Sequence, residues 1–193
     1  MSTESTASTP AAALSAQDAA PYLVVGGTVD LSTKPAVFSA QDITQRLLAL
    51  IQNIHSAQDI SPELIHKHFG QQVWINPNDS NDFQSGGKIT ETWYYGLNSM
   101  RPPPGEKLTS LLFEFNDRTH SNADMTPVCV ALEDYMRPLV AAGFTPDMDY
   151  TRFGEKYWTF TRDNLSVKVY LRGKRNPDDA QTCVQMAIIR ALS

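Results

Sequence analysis

The chain has 193 residues, of which 41% are hydrophobic and 19% are charged, and its formal net charge is −5. This length and apolar content predict one folded domain, or two small ones, with a buried core. The excess of acidic residues argues against nucleic acid or an anionic membrane as a partner, because basic patches bind phosphate groups. No window of the sequence reaches the roughly 18 apolar residues that a membrane-spanning helix needs.

The first 20 residues are rich in Ser, Thr and Ala, and they predict a disordered tail. They lack the basic start and the apolar segment of a signal peptide. Such a tail is typical of the tether that follows the cleavage site of exported proteins, so a periplasmic or secreted location is expected. A cytoplasmic location is the alternative. Residues 21–38 are expected to form an extended arm or a loose hairpin across Gly26 and Gly27.

The next segment predicts an amphipathic helix. Ser39 and Asp42 are spaced as a capping box, and the helix is expected to end near His55. Within the predicted helix, apolar residues recur at helical spacing and define its buried side. These residues are Ile43, Leu47, Leu50, Ile51 and Ile54.

The stretch SPELIHKHFGQQVWI carries two histidines, which raises the question of a metal or catalytic site. Ser61 suits the N-cap of a helix and Pro62 suits its first position. His66 and His68 lie two positions apart, so a helix directs them to different sides, where they cannot bind one metal ion together. We interpret them as surface residues near a helix C-terminus, where the dipole favours them, and expect neither a metal nor a cofactor.

Strands are predicted next, at 71–75, 88–98 and 107–117, from apolar residues that alternate with polar ones. The polar segment 76–87 lies between the first two of them. Its composition predicts a long mobile loop that becomes ordered on a partner.

A third helix is predicted with Thr126 as its cap, Pro127 at its first position and Gly143 at its end. Further strands follow near 147–152, 156–162, 165–171 and 181–190. One helix followed by three strands thus occurs in each of two candidate halves, 57–117 and 126–193, and the second half has an extra final strand. The pattern predicts an α+β fold in which residues 39–193 form one domain, with helices packed on one face of an antiparallel sheet.

Three tyrosines are candidates for a binding surface. Because neighbouring residues of a strand point to opposite faces, Tyr94, Tyr157 and Tyr170 are expected on the face opposite the helices. Tyrosine is enriched among the residues that dominate protein interfaces. The alternative is that tyrosine simply suits strands on either face. Further candidate partner-binding residues come from the flanking loops, and they are Asp79, Asp82 and Arg101.

The two cysteines, Cys129 and Cys183, predict either one disulfide in an oxidising compartment or two buried thiols. An enzymatic alternative starts from Cys129, which would lie at the third position of the predicted helix, where the dipole lowers the pKa of a thiol. His120 would then act as the base, with Asp117 or Asp124 as acidic groups.

Motifs of nucleotide-binding and common hydrolytic enzymes are absent from the sequence. The prediction is therefore a non-enzymatic bacterial protein, monomeric or homodimeric, that binds and inhibits a basic or neutral partner protein, as immunity proteins neutralise toxins. Two alternatives remain: a hydrolase that uses Cys129 with His120, and a small-molecule carrier with an apolar pocket.

Overall fold

A computed structural model describes residues 23–25, 38–100, 102, 108–176 and 179–191. The described residues contain three α-helices and one nine-stranded sheet, so the predicted α+β class is confirmed. The predicted tail 1–20, the hairpin at Gly26 and Gly27, and the candidate Arg101 lie outside the described residues.

The elements follow one another in a simple order. The helices are α1 (Ala40–Gln52), α2 (Pro62–Phe69) and α3 (Leu132–Ala141), and a short 3-10 helix (Ala57–Asp59) precedes α2. The strands are β1 (Leu23–Val25), β2 (Val73–Asn76), β3 (Asp79–Lys88), β4 (Trp93–Ser99), β5 (Ser110–Asp117), β6 (Thr145–Tyr150), β7 (Lys156–Arg162), β8 (Leu165–Gly173) and β9 (Gln181–Ala191).

The strand order in the sheet is β1-β2-β3-β4-β5-β9-β8-β7-β6. Strands β2 to β9 run antiparallel to their neighbours, whereas β1 pairs with β2 in parallel. Residues 23–25 of the predicted arm therefore belong to the sheet. In each of the two candidate halves one helix is followed by four strands, α2 by β2–β5 and α3 by β6–β9, and the halves meet where β5 pairs with β9. Strand β1 and helix α1 precede both halves.

The prediction of a mobile loop at 76–87 is wrong, because most of this segment is strand β3. It pairs on one side with β2 and on the other with β4. Phe83 and Ser85 point into the core, while Gln84 between them is exposed. Backbone pairing, rather than side-chain polarity, decides this conformation, and the extra strand explains why the first half has four strands instead of the expected three.

Helices α1 and α2 begin as their sequences predict. The Ser39 hydroxyl accepts a hydrogen bond from the Asp42 amide at 3.1 Å, and the Asp42 carboxylate accepts one from the Ser39 amide at 3.0 Å. In α2, the Ser61 hydroxyl accepts from the Leu64 amide at 3.3 Å. Gly70 ends this helix with φ of +64°, a conformation that glycine adopts without strain.

Helix α3 begins at Leu132, later than predicted from Thr126. The Val184 amide donates a hydrogen bond to the Val130 carbonyl at 2.8 Å, and Ala131 forms a β-bridge with Cys183. These contacts hold Val130 and Ala131 against β9, so these two residues do not belong to the helix. The end of the helix is as expected, since Gly143 follows it with φ of +87°.

The core lies between the three helices and one face of the sheet, and the predicted apolar residues of α1 belong to it. The strands contribute the alternate residues that point towards the helices, such as Leu97, Phe113 and Val169, all fully buried. The other alternate residues point away from the helices. We call this second side of the sheet the outer face.

Gly86 and Gly96 face each other across β3 and β4 and provide a matched test of backbone packing. A Cβ atom on Gly86 would lie 2.5 Å from the Tyr95 carbonyl oxygen, whereas one on Gly96 would meet no atom closer than 3.5 Å. We expect Gly86→Ala to lower the free energy of unfolding by about 1–3 kcal/mol, the usual cost of overpacking. Gly96→Ala should change it by less than about 1 kcal/mol. Urea unfolding of both variants checks this, and equal effects would contradict the register of β3 and β4.

Candidate functional site

The outer face carries a continuous row of residues from seven strands. The pairing register aligns them one opposite the next, without interruption across both halves of the molecule. In order from β3 to β6 they are Gly86, Gly96, Glu114, Met186, Tyr170, Tyr157 and Asp149. Two of the three predicted tyrosines thus stand side by side in this row, on β8 and β7.

Tyr157 and Tyr170 form a stacked pair, with ring centroids 5.3 Å apart and an angle of 25° between the planes. The Tyr157 hydroxyl donates a hydrogen bond to Asp149 Oδ2 at 3.0 Å. Lys168 Nζ lies 5.0 Å from the centre of the Tyr157 ring, within the range of a cation–π interaction. We call Tyr157, Tyr170, Asp149 and Lys168 the tyrosine cluster.

Hydrogen bonding fixes the charge states of two members of the tyrosine cluster. The bond to Asp149 raises the pKa of Tyr157, because it stabilises the neutral phenol next to a carboxylate. The backbone amide of Tyr150 and the hydroxyl of Tyr157 lower the pKa of Asp149. The two shifts favour the same pair of protonation states, so the hydrogen bond joins a neutral Tyr157 phenol to an ionised Asp149 carboxylate at neutral pH.

Tyr94 also lies on the outer face, as predicted, but it does not join the tyrosine cluster. It belongs to β4, and two strands, β5 and β9, separate it from β8. The Arg118 guanidinium lies 4.0 Å from the centre of its ring, and only 8% of Tyr94 is exposed. Little of its ring is accessible to a partner.

Asp79 and Asp82 lie in the hairpin of β2 and β3, near the opposite end of the sheet from the tyrosine cluster. The Asp79 carboxylate accepts a hydrogen bond from the Asn81 amide at 3.0 Å. The Asp82 carboxylate accepts one from Asn76 Nδ2 at 2.8 Å. These bonds stabilise the turn, and the structure does not bring these acids together with the predicted tyrosines.

The sequence did not predict two exposed aromatic residues at the end of the sheet formed by β6 and β7. Tyr150 is 57% exposed and Phe153 is 76% exposed, and both belong to the hairpin that joins β6 to β7. The hairpin is ordered by its own hydrogen bonds: the Thr151 amide donates to the Glu155 carbonyl at 2.8 Å, and the Gly154 amide donates to the Thr151 carbonyl at 2.9 Å. In the sequence, the glycine that follows Phe153 predicts a turn between two strands, but it does not predict an exposed ring.

Cys129 and Cys183 form a disulfide, with their Cα atoms 4.9 Å apart. The expected position of Cys129 at the third residue of a helix is wrong, because α3 begins three residues later. Its sulfur is bonded, so it has no thiolate to act as a nucleophile while the disulfide is intact. His120, the proposed base, is exposed in the connection after β5.

Asp117 stabilises this connection. Its Oδ1 accepts hydrogen bonds from the backbone amides of Thr119 at 2.8 Å and His120 at 3.0 Å, and from the Thr119 hydroxyl. Burial opposes ionisation of Asp117, but these bonds and one from Thr92 outweigh it and hold the pKa of the carboxyl well below its usual range. The hydrogen bonds of this carboxylate therefore stabilise the connection after β5. Asp124 accepts a hydrogen bond from the Thr126 amide at 2.7 Å.

The two histidines lie on α2, as predicted. His66 Nδ1 lies 2.8 Å from the Gln71 carbonyl oxygen. Burial of the His68 ring, and to a smaller extent the charge of Lys67, lowers the pKa of His68. Within the described ranges, no three His, Cys, Asp or Glu side chains are grouped so that they could hold a metal ion.

No helix in the described part of the chain is long and apolar enough to cross a membrane. No family model, curated protein or solved structure matches the chain. The function of the chain is therefore inferred from the geometry of its own side chains.

The disulfide closes a long loop, since the two cysteines are 54 positions apart in the sequence. We expect the Cys129→Ala/Cys183→Ala variant to be less stable than the wild type by about 2–4 kcal/mol, because the unfolded chain gains entropy without the cross-link. Urea unfolding checks the loss. Reductant should destabilise the wild type but leave the variant unchanged, and two reactive thiols in the unreduced wild type would contradict the bond.

Asp117 is expected to make stability depend on pH. Its pKa is lower in the folded state than in the unfolded chain, so its contribution is present above the unfolded value, near 4, and is lost as pH falls towards the folded value. We expect Asp117→Asn to lower the free energy of unfolding at pH 7 by about 1–3 kcal/mol and to flatten the decline of stability below about pH 4. Urea unfolding across this range tests it. Asp163→Asn, at an exposed turn, controls for the change in charge.

Proposed function

We propose that this chain is a non-enzymatic protein-binding module that inhibits or neutralises a partner protein. The observation that carries the proposal is the tyrosine cluster, a stacked and hydrogen-bonded aromatic pair on the sheet face opposite the helices. The sheet beneath holds the cluster rigidly, because both tyrosines lie inside paired strands.

The physical case for binding is the low cost of ordering these side chains. Tyrosine offers a large amphipathic surface with few rotatable bonds, and its burial contributes strongly at the centres of interfaces. Stacking and the hydrogen bond to Asp149 already restrict Tyr157 before a partner arrives. Less conformational entropy is then lost on binding, which favours affinity.

The charge of the chain supports a basic or neutral partner. The net charge is −5, and Asp149 and its neighbour Asp147 flank the aromatic rings. Acidic groups around an aromatic centre favour the approach of a basic protein surface through electrostatic steering. The Cys129–Cys183 disulfide supports an oxidising compartment, so we further propose a periplasmic or secreted location.

The proposal is tested by capturing partners from an extract of the source organism on the immobilised chain. We expect one dominant protein to be captured. Its affinity for the Tyr157→Ala/Tyr170→Ala variant should be at least about tenfold lower than for the wild type, or 1.4 kcal/mol, because these substitutions remove the aromatic centre of the interface. Calorimetry with the purified partner measures the loss. Val140→Ala, which alters an exposed apolar residue on α3, is the matched control. If nothing binds, or if both variants bind like the wild type, the proposal is wrong.

A further inference from the structure

Strand β6 is the last strand in the order of the described sheet, so on one of its sides no strand of the described residues pairs with it. Four of its first five residues are exposed: Thr145, Pro146, Asp147 and Asp149. An exposed edge of this kind offers unpaired backbone groups to a strand of another molecule, and it is a common origin of unwanted association.

The register of β6 and β7 identifies the amides that face away from the sheet. Residues of an antiparallel pair alternately direct their backbone groups towards the partner strand and away from it. Proline has no amide hydrogen to donate to a ladder and is confined to positions that face outward. Pro146 therefore marks an outward position, and by alternation the backbone groups of Met148 and Tyr150 also face outward. In the register these residues lie opposite Phe160, Trp158 and Lys156 of β7.

None of these three outward positions offers a free amide. Pro146 has no N–H group. The Met148 amide donates to Asp147 Oδ1 at 2.9 Å, and the Tyr150 amide donates to Asp149 Oδ1 at 2.7 Å. Each carboxylate thus turns from the outer face towards the edge and takes the hydrogen bond that an incoming strand would need.

From this arrangement we infer that β6 is a guarded edge, at which Pro146, Asp147 and Asp149 prevent a second copy of this chain from adding its own β6. The strand that β6 meets most often is β6 of a second copy, because two identical edges come together whenever the protein is concentrated. The guard acts twice: it removes the donors of the ladder, and it places like charges opposite each other when two β6 edges approach.

The guard also determines how other proteins meet this end of the molecule. A partner cannot extend the sheet by adding a strand to β6, so it contacts side chains rather than the backbone. This inference does not depend on the proposed function, because it concerns the backbone of β6 and holds whether or not the tyrosine cluster binds a protein.

The experiment compares self-association of the full chain with and without the guard. In the variant Pro146→Thr/Asp147→Thr/Asp149→Thr, three outward amides become available and two negative charges are removed. We expect self-association at least about tenfold tighter than that of the wild type, measured as mass against concentration by light scattering. Hydrogen exchange should show new protection at residues 146–150 in the associated form.

The charge-matched control is Glu133→Gln/Asp134→Asn, which removes two exposed acids from α3 and leaves the edge intact. It should keep the mass of the wild type. If circular dichroism shows that the triple variant does not fold, the same measurements are made on Pro146→Thr/Asp147→Thr, which keeps Asp149. A folded guard variant with the mass of the wild type would overturn the inference, and so would association that leaves 146–150 unprotected.

Discussion

The antiparallel pairing of β5 with β9 is the constraint on which the rest of the molecule depends. It joins the two halves into one sheet and places Leu111 opposite Ile189 and Phe113 opposite Ala187, all within the core. A shift of this register by one residue would turn the inward side chains of one strand outward. The row of residues across the outer face is continuous only because this pairing keeps the alternation of both halves in phase.

The connection that leads from β5 to α3 is fastened to the same central strands. The buried Arg172 of β8 donates to the Ser121 carbonyl at 3.0 Å and to the Ala123 carbonyl. The Met125 amide donates to the Lys174 carbonyl at 2.7 Å, and the disulfide then bonds Cys129 to β9. These contacts hold the long connection against the ends of β8 and β9. They explain why the residues before Leu132 do not continue the helix that their sequence favours.

The parts of the fold that follow from local chemistry could be predicted from the sequence. The capping serines of α1 and α2 act within four residues, and the alternation of strand residues correctly placed Tyr94, Tyr157 and Tyr170 on the outer face. The errors concern features that distant contacts decide. The polar strand β3 is held by its two neighbours, and the late start of α3 is set by β9.

The composition of the candidate site illustrates the same limit. Alternation gives the face of each tyrosine but not its neighbours, which depend on strand order and register. Tyr157 and Tyr170 are adjacent because β7 and β8 form a hairpin, whereas Tyr94 is two strands away from β8 and under Arg118. The exposed rings of Tyr150 and Phe153 carry no signal that distinguishes them from core aromatics, because exposure is a property of the assembled sheet.

Asp149 links the edge of the sheet to its outer face. One of its oxygens accepts the outward amide of Tyr150, and the other accepts the hydroxyl of Tyr157. Each bond restricts the rotation of the carboxylate in a way that favours the other, so the guard of β6 helps to orient the ring that the tyrosine cluster presents. An asparagine would offer one acceptor oxygen in place of two, and its NH2 group would stand where the second oxygen accepts a hydrogen bond. The presence of an aspartate at this position therefore follows from two requirements, a closed strand edge and an ordered aromatic pair, that a single ionised carboxylate satisfies together.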